Sequence, residues 1–123
     1  MLLQIEQKQI EPGISLVELS GKLALGRESQ RIESLVDELA RESAPRVIFD
    51  LTKIDYIDSA GIGLLALAAG KMKQAKGALK VVTAEGRVRQ MLSLTQMDTI
   101  VGLCASVEEA ASSFGRTQPP ATA

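Results

Sequence analysis

The sequence predicts a single α/β domain with a mixed, mostly parallel β-sheet and about four α-helices. Two observations predict this class: strand-like apolar runs alternate with segments of helical spacing, and two alternating segments joined by Pro12-Gly13 open the chain. A length of 123 residues with 46% hydrophobic residues fits one compact core. The expected order of elements is β-β-α-β-α-β-α-β-α. The strands that helices separate are expected to pair in parallel.

The first elements are a hairpin and an amphipathic helix. Leu2 to Ile10 and Ile14 to Leu19 partly alternate apolar and polar residues on either side of the turn, which predicts an antiparallel hairpin. After Gly26, apolar residues recur at the spacing of one helical face, with charged residues on the other faces. The apolar positions are Ile32, Leu35, Val36 and Leu39.

A buried strand and an uncharged helix follow. Pro45 ends the first helix, and the short apolar run Val47 to Leu51 is typical of a central parallel strand covered on both faces. The segment Ser59 to Lys76 is too long for an ordinary strand and begins without charge. Its basic last turn suits the negative end of a helix dipole, and Gly77 follows it, so a helix is predicted.

The second half of the chain continues the alternation of strands and helices. Ser106 is positioned to cap the last helix. The predicted elements are a strand at Leu79 to Thr83, a short helix at Glu85 to Leu94, a strand at Ile100 to Cys104 and a helix at Val107 to Phe114. The domain is therefore expected to span residues 1–114, and the tail, residues 115–123, to be disordered.

Composition excludes several classes of function. With no His and one Cys, the chain cannot form a His-based catalytic set, an internal disulfide or a Cys/His zinc site, and no catalytic residue, metal or cofactor is predicted. A net charge of −1 and three aromatic residues predict no nucleic-acid partner. The sequence shows no signal peptide and no membrane-spanning run, so a cytoplasmic protein without membrane contact is expected.

The connection after Leu51 holds the candidate functional residues. It ends in Asp58-Ser59-Ala60-Gly61-Ile62-Gly63 at the start of the uncharged helix. Either Asp58 or Ser59 can cap this helix, because a side-chain oxygen there satisfies amides of the first turn. Alternatively, Ser59 accepts a phosphate, which the positive end of the helix dipole would stabilise.

The residues after Ser59 suggest a contact surface. Ala60, Gly61, Ile62 and Gly63 are small or apolar, so a partner can approach the backbone closely and bury the patch. A phosphate next to Asp58 would place repelling, poorly solvated charge in that contact and switch association off. The other interpretation is that the two glycines only permit close packing of helix on sheet.

The segment Asp58 to Gly63, preceded by the run Val47 to Leu51, resembles the signature of STAS domains, specifically bacterial anti-sigma factor antagonists. The resemblance covers about residues 2–114. It implies that Ser59 is phosphorylated by an anti-sigma factor that is itself a serine kinase and supplies ATP. It also implies that the unphosphorylated antagonist binds this kinase and frees a sigma factor, and that a phosphatase restores the serine. Asp58 and residues 60–63 would form the contact. A weak homodimer is a separate expectation of the sequence analysis.

One position departs from the family. Members commonly carry an aspartate after Gly-x-Leu at the end of the second strand, whereas this chain has Gly21-Lys22-Leu23-Ala24. That loop is expected near the serine-bearing helix, so Ala24 puts the choice of partner in question. The alternative function is a constitutive scaffold or accessory subunit of a signalling or transport complex, in which Ser59 is not phosphorylated and only caps the helix.

Overall fold

The computed structural model describes residues 3–11, 13–24 and 26–117. Pro12 of the predicted hairpin turn lies outside this part of the chain. The elements in chain order are β1 (Gln4–Glu11), β2 (Ile14–Leu23), α1 (Arg27–Leu39), β3 (Arg46–Ile57), α2 (Ser59–Gln74), β4 (Ala78–Val82), α3 (Arg87–Leu94), a short 3-10 turn (Met97–Thr99), β5 (Gly102–Cys104) and α4 (Val107–Thr117).

The five strands form one mixed sheet in the order β1-β2-β3-β4-β5. β1 pairs with β2 in the antiparallel sense, and the other three pairings are parallel. The predicted fold class, the opening hairpin and the central position of β3 are therefore confirmed.

Helices cover both faces of the sheet. Alternate strand residues point to opposite sides, and apolar residues on each side pack beneath helices. Val17, Leu19 and Phe49 belong to the larger apolar cluster, which also holds buried residues of α1, α2 and α3. Leu16 and Ile48 belong to a second cluster, which α4 completes through Ala110 and Phe114. Three helices thus lie on one face and α4 on the other, as a strand buried on both faces requires.

The central strand β3 is longer than the sequence predicts. It continues from Leu51 through Asp55 to Ile57, so the expected loop is mostly strand. The register between β2 and β3 shifts twice here, with an extra residue in β3 each time. These two bulges change the burial period from two to three, so Leu51, Ile54 and Ile57 are all buried in the larger cluster.

The last strand and helix also differ in their bounds from those predicted. Ile100 lies outside β5 and is 54% exposed. α4 extends to Thr117, past the expected end at Phe114, and the remaining tail residues 118–123 lie outside the described chain. The predicted cap is present: the Glu109 amide donates to Ser106 Oγ at 3.0 Å, and Glu109 Oε1 accepts from the Ala105 amide at 2.7 Å.

The single cysteine lies inside the fold. Cys104 is 6% exposed in the smaller cluster beneath α4. Burial, followed by the neighbouring Glu109 carboxylate, raises the pKa of the Cys104 thiol, so the thiol stays protonated and weakly nucleophilic. Among the described helices, none combines the length and apolar character needed to cross a bilayer.

The period-three burial in β3 can be tested with a matched pair of variants. We expect Ile54→Ala to lower the free energy of unfolding by about 2 to 5 kcal/mol, because it empties a buried site. The adjacent exposed variant Asp55→Ala should change it by no more than about 0.5 kcal/mol. Urea denaturation measures both values, and equal losses would contradict the inward position of Ile54.

Candidate functional site

The site lies where the central strand meets the uncharged helix. β3 ends at Ile57, Asp58 follows in extended conformation, and α2 begins at Ser59. This is the carboxyl end of the parallel strands, the edge at which α/β sheets usually present functional groups. All six predicted site residues, Asp58 to Gly63, therefore lie within this junction and the first turn of α2.

Asp58 caps α2. One of its carboxylate oxygens accepts a hydrogen bond from the Gly61 amide at 2.9 Å, and its carbonyl oxygen accepts one from the Ile62 amide at 3.0 Å. The Asp58 amide donates to the carbonyl oxygen of Leu23 at the end of β2, at 3.3 Å. Asp58 thus fixes both the start of the helix and its attachment to the neighbouring strand.

Ser59 is left without a capping role. It is the first residue of α2, and its side chain is exposed. Within the described chain no hydrogen bond holds its hydroxyl group, so Oγ is open to an approaching molecule. The structure therefore assigns the cap to Asp58, which the sequence left open between the two residues.

The two glycines of the motif have different structural roles. A Cβ atom on Gly61 would lie 2.1 Å from the Leu23 carbonyl oxygen and 2.9 Å from Ile57 Cγ1, so only glycine permits this contact between helix and sheet. A Cβ atom on Gly63 would meet nothing within 4 Å. The packing interpretation is correct for Gly61, whereas Gly63 faces open space.

The first turns of α2 present a small, weakly polar surface. Ala60 and Ile62 are half-buried, and Ile62 packs against the larger cluster. Ser59 and Gly63 are exposed and lie four residues apart on one helix face, which Leu67 extends by another four. Leu67 is 41% exposed and was not among the predicted site residues, because the uncharged helix offers no polar face that would mark the solvent side.

An exposed aromatic side chain precedes the motif in the chain. Tyr56, three residues before Ser59, is 50% exposed, whereas Phe49 and Phe114 are buried. Its partner in the β2–β3 register is Lys22, whose ammonium group lies 5.8 Å from the centre of the Tyr56 ring. Sequence reasoning missed this pair, although the spacing Leu51-x-x-Ile54-x-x-Ile57 already indicated that Tyr56 points outward.

The loop that departs from the family pattern does lie next to the site. Leu23, the last residue of β2, accepts from the Asp58 amide and touches Gly61, and Ala24 follows it directly. Ala24 is partly buried and brings no charge to this edge. The cationic group nearest in sequence is Lys22, which lies over Tyr56.

The acidic residues around the junction act separately. Asp50 Oδ1 accepts hydrogen bonds from the amide and the hydroxyl of Thr52, at 3.0 and 2.8 Å. Asp55 is exposed, and Asp58 binds the helix amide. Across the described residues, no group of three or more Asp, Glu, Cys or His side chains is placed to hold a metal ion. The chemistry that this geometry offers is that of an accessible serine hydroxyl at a helix N-terminus.

The unequal roles of the glycines lead to opposite effects on stability. Gly61→Ala should lower the free energy of unfolding by about 1 to 3 kcal/mol, because the new methyl group overlaps the Leu23 carbonyl. Gly63→Ala should raise it by up to about 1 kcal/mol, because alanine favours the helix and meets no neighbour. Chemical denaturation of the two variants checks this, and a destabilising Gly63→Ala would show that the open face is misplaced.

Comparison with known proteins is consistent with this geometry. Residues 6–110 match the model of the STAS domain. The chain is 32% identical to "Putative anti-sigma factor antagonist BtrV" of Bordetella bronchiseptica over 94 residues, which cover 74% of this chain and 81% of that protein.

Two solved structures show the same fold. The putative anti-sigma factor antagonist TM1081 of Thermotoga maritima has a TM-score of 0.81 at 20% identity, over 91% of this chain and 95% of its own. The Bacillus cell fate determinant SpoIIAA in its phosphorylated form has a TM-score of 0.69 at 14% identity, over 89% and 98%. At such identities the likeness concerns the fold alone. The family match and the identity to BtrV together show that the chain belongs to the STAS domain family, among the anti-sigma factor antagonists.

Proposed function

We propose that this protein is a phosphorylation-controlled binding module. In its unphosphorylated form it binds an anti-sigma factor that is a serine kinase, and so releases a sigma factor in the cytoplasm. Phosphorylation of Ser59 by that kinase ends the association, and a phosphatase restores it. The observation that carries this proposal is the exposed Ser59 hydroxyl, which is free of the capping role that Asp58 fills.

The local structure tolerates a phosphate at Ser59. The group would lie at the positive end of the α2 dipole, and the backbone contacts that attach the helix to the sheet involve Asp58 and Gly61. The modification therefore changes the charge of the surface and leaves the fold in place. Next to the Asp58 carboxylate, a dianion adds repulsion and a desolvation cost to any contact that buries this surface.

The surface around Ser59 suits a protein partner. Gly63 and the exposed Leu67 continue along α2 from Ser59, and Tyr56 lies on the strand side of the junction. Tyrosine is enriched among the residues that contribute most to interfaces, because it buries a large rigid surface and keeps a polar tip. We include Tyr56 in the contact surface together with residues 58 and 60–63. The partner supplies the ATP, since the sequence carries neither a complete dinucleotide fingerprint nor a P-loop.

Substitutions at Ser59 test the switch. The kinase partner should be retained from a native cell extract by immobilised wild type and Ser59→Ala, and lost by Ser59→Asp. A discrimination of about 3 kcal/mol corresponds to more than a hundredfold in affinity, which capture followed by mass spectrometry readily detects. Incubating the captured kinase with ATP should then phosphorylate wild type at Ser59, as mapped by phosphopeptide analysis.

Ser112→Asp is the matched control, because Ser112 is an exposed helical serine on α4, across the sheet from the site. It should bind the partner as wild type does. If Ser59→Asp captures the same scaffold or transport partner as wild type, the switch is wrong and the constitutive accessory subunit is the better description.

The contribution of Tyr56 can be measured on the same partner. We expect Tyr56→Ala to weaken binding about tenfold, because it removes a half-exposed ring from the proposed contact surface. Leu94→Ala, which removes an apolar side chain that is 80% exposed at the end of α3, should leave the affinity unchanged. Titration by calorimetry gives both dissociation constants, and equal effects would place Tyr56 outside the interface.

A further inference from the structure

We propose that the free edge of β1 pairs with β1 of a second copy of this chain. The two strands would run antiparallel across a two-fold axis perpendicular to the sheet, so that the two five-stranded sheets join into one. This association is independent of Ser59, which is the first residue of α2 and does not lie on the outer edge of β1.

The two edges of the sheet differ in their capacity for pairing. β5 has three residues, which limits the backbone groups it can offer. β1 has eight residues and, within the described chain, pairs only with β2. The residues from Gln4 to Gln9 are in unbroken register with β2, and a bulge at Ile10 ends the straight segment. An accessible strand edge of this length presents backbone donors and acceptors to a further strand.

The charges on β1 select one register. A two-fold axis perpendicular to the sheet keeps each side chain on its own face, and residues that lie opposite each other share a face. The residue at the axis must therefore lie opposite the same residue of the second copy. An axis at Glu6 would set two glutamates against each other, and an axis at Lys8 would set two lysines against each other. Axes near either end of the segment leave only short pairings. An axis at Gln7 forms two Glu6–Lys8 pairs between the chains and pairs residues 5–9 of one copy with residues 9–5 of the other.

The same register relieves a like-charge contact inside each chain. Glu6 is paired directly with Glu18 across β1 and β2, an arrangement that disfavours the sheet. Lys8 of the same chain lies diagonal to this pair, with its Nζ 3.3 Å from Glu18 Oε1. In the proposed dimer the partner's Lys8 would flank Glu6 on its open side. Each glutamate of the pair would then have a cationic neighbour.

The interface is small and polar, so the dimer is expected to be weak and dependent on concentration. The β1 side chains from Glu6 to Ile10 are exposed, whereas Ile5 packs against the larger cluster. Backbone hydrogen bonds and the two charge pairs would therefore provide most of the affinity.

Charge reversals on the full chain test the register. Sedimentation equilibrium from micromolar to millimolar protein should show a monomer–dimer equilibrium for wild type. Glu6→Lys and Lys8→Glu should each weaken it by about tenfold or more, because each converts both cross-strand pairs into like-charge pairs. The double variant E6K/K8E should recover the wild-type equilibrium, because its charges are exchanged but still complementary.

The decisive experiment is a mixture of the two single variants. E6K presents lysines at both positions and K8E presents glutamates at both. An equimolar mixture should therefore form heterodimers at concentrations at which each variant alone is mostly monomeric. Thermal unfolding of each variant confirms that the monomer is folded. A wild type that is monomeric at every concentration overturns the proposal. So does a dimer that is unaffected by the single reversals, or a mixture that fails to associate.

Discussion

The position of the functional motif depends on one close contact between backbones. The Leu23 carbonyl at the end of β2 accepts from the Asp58 amide and lies against Gly61 so closely that a single methyl group would not fit. This contact attaches the first turn of α2 to the strand that neighbours β3. Asp58 also caps the helix and so fixes where α2 begins, and Gly61 sets how near the sheet the helix lies. The position of Ser59 is therefore set by the contact between helix and sheet.

The irregular shape of the central strand is related to the same contact. β3 must remain paired with β2 as far as Ile57 for Asp58 to reach Leu23. The two bulges allow this while the apolar side chains at every third position stay against the helices. The residues between these buried positions are exposed, and one of them is Tyr56. An irregularity of the strand thus leaves an aromatic side chain exposed three residues before the serine.

The structure separates the groups that hold the fold from those available for contact. Asp58 and Gly61 are occupied by the backbone, whereas Ser59, Gly63 and Leu67 face outward and hold nothing else in place. Charge added at Ser59 would change the charge of this surface at little cost to folding. A β1 edge engaged by a second copy would lie apart from this surface, so self-association and partner binding need not compete.

The sequence by itself determined the order of the elements, the antiparallel opening, the central buried strand and the family signature at residues 58–63, because these are written in local periodicity and in a contiguous motif. The bounds of β3 were missed, since a strand with bulges does not follow the period of two that marks strands in a sequence. Only the tertiary structure decided that Asp58 rather than Ser59 caps α2, and that Gly61 but not Gly63 is required for packing. The requirement for glycine at position 61 depends on Leu23, a residue distant in the chain, whose carbonyl oxygen reaches the motif because β2 and β3 lie side by side.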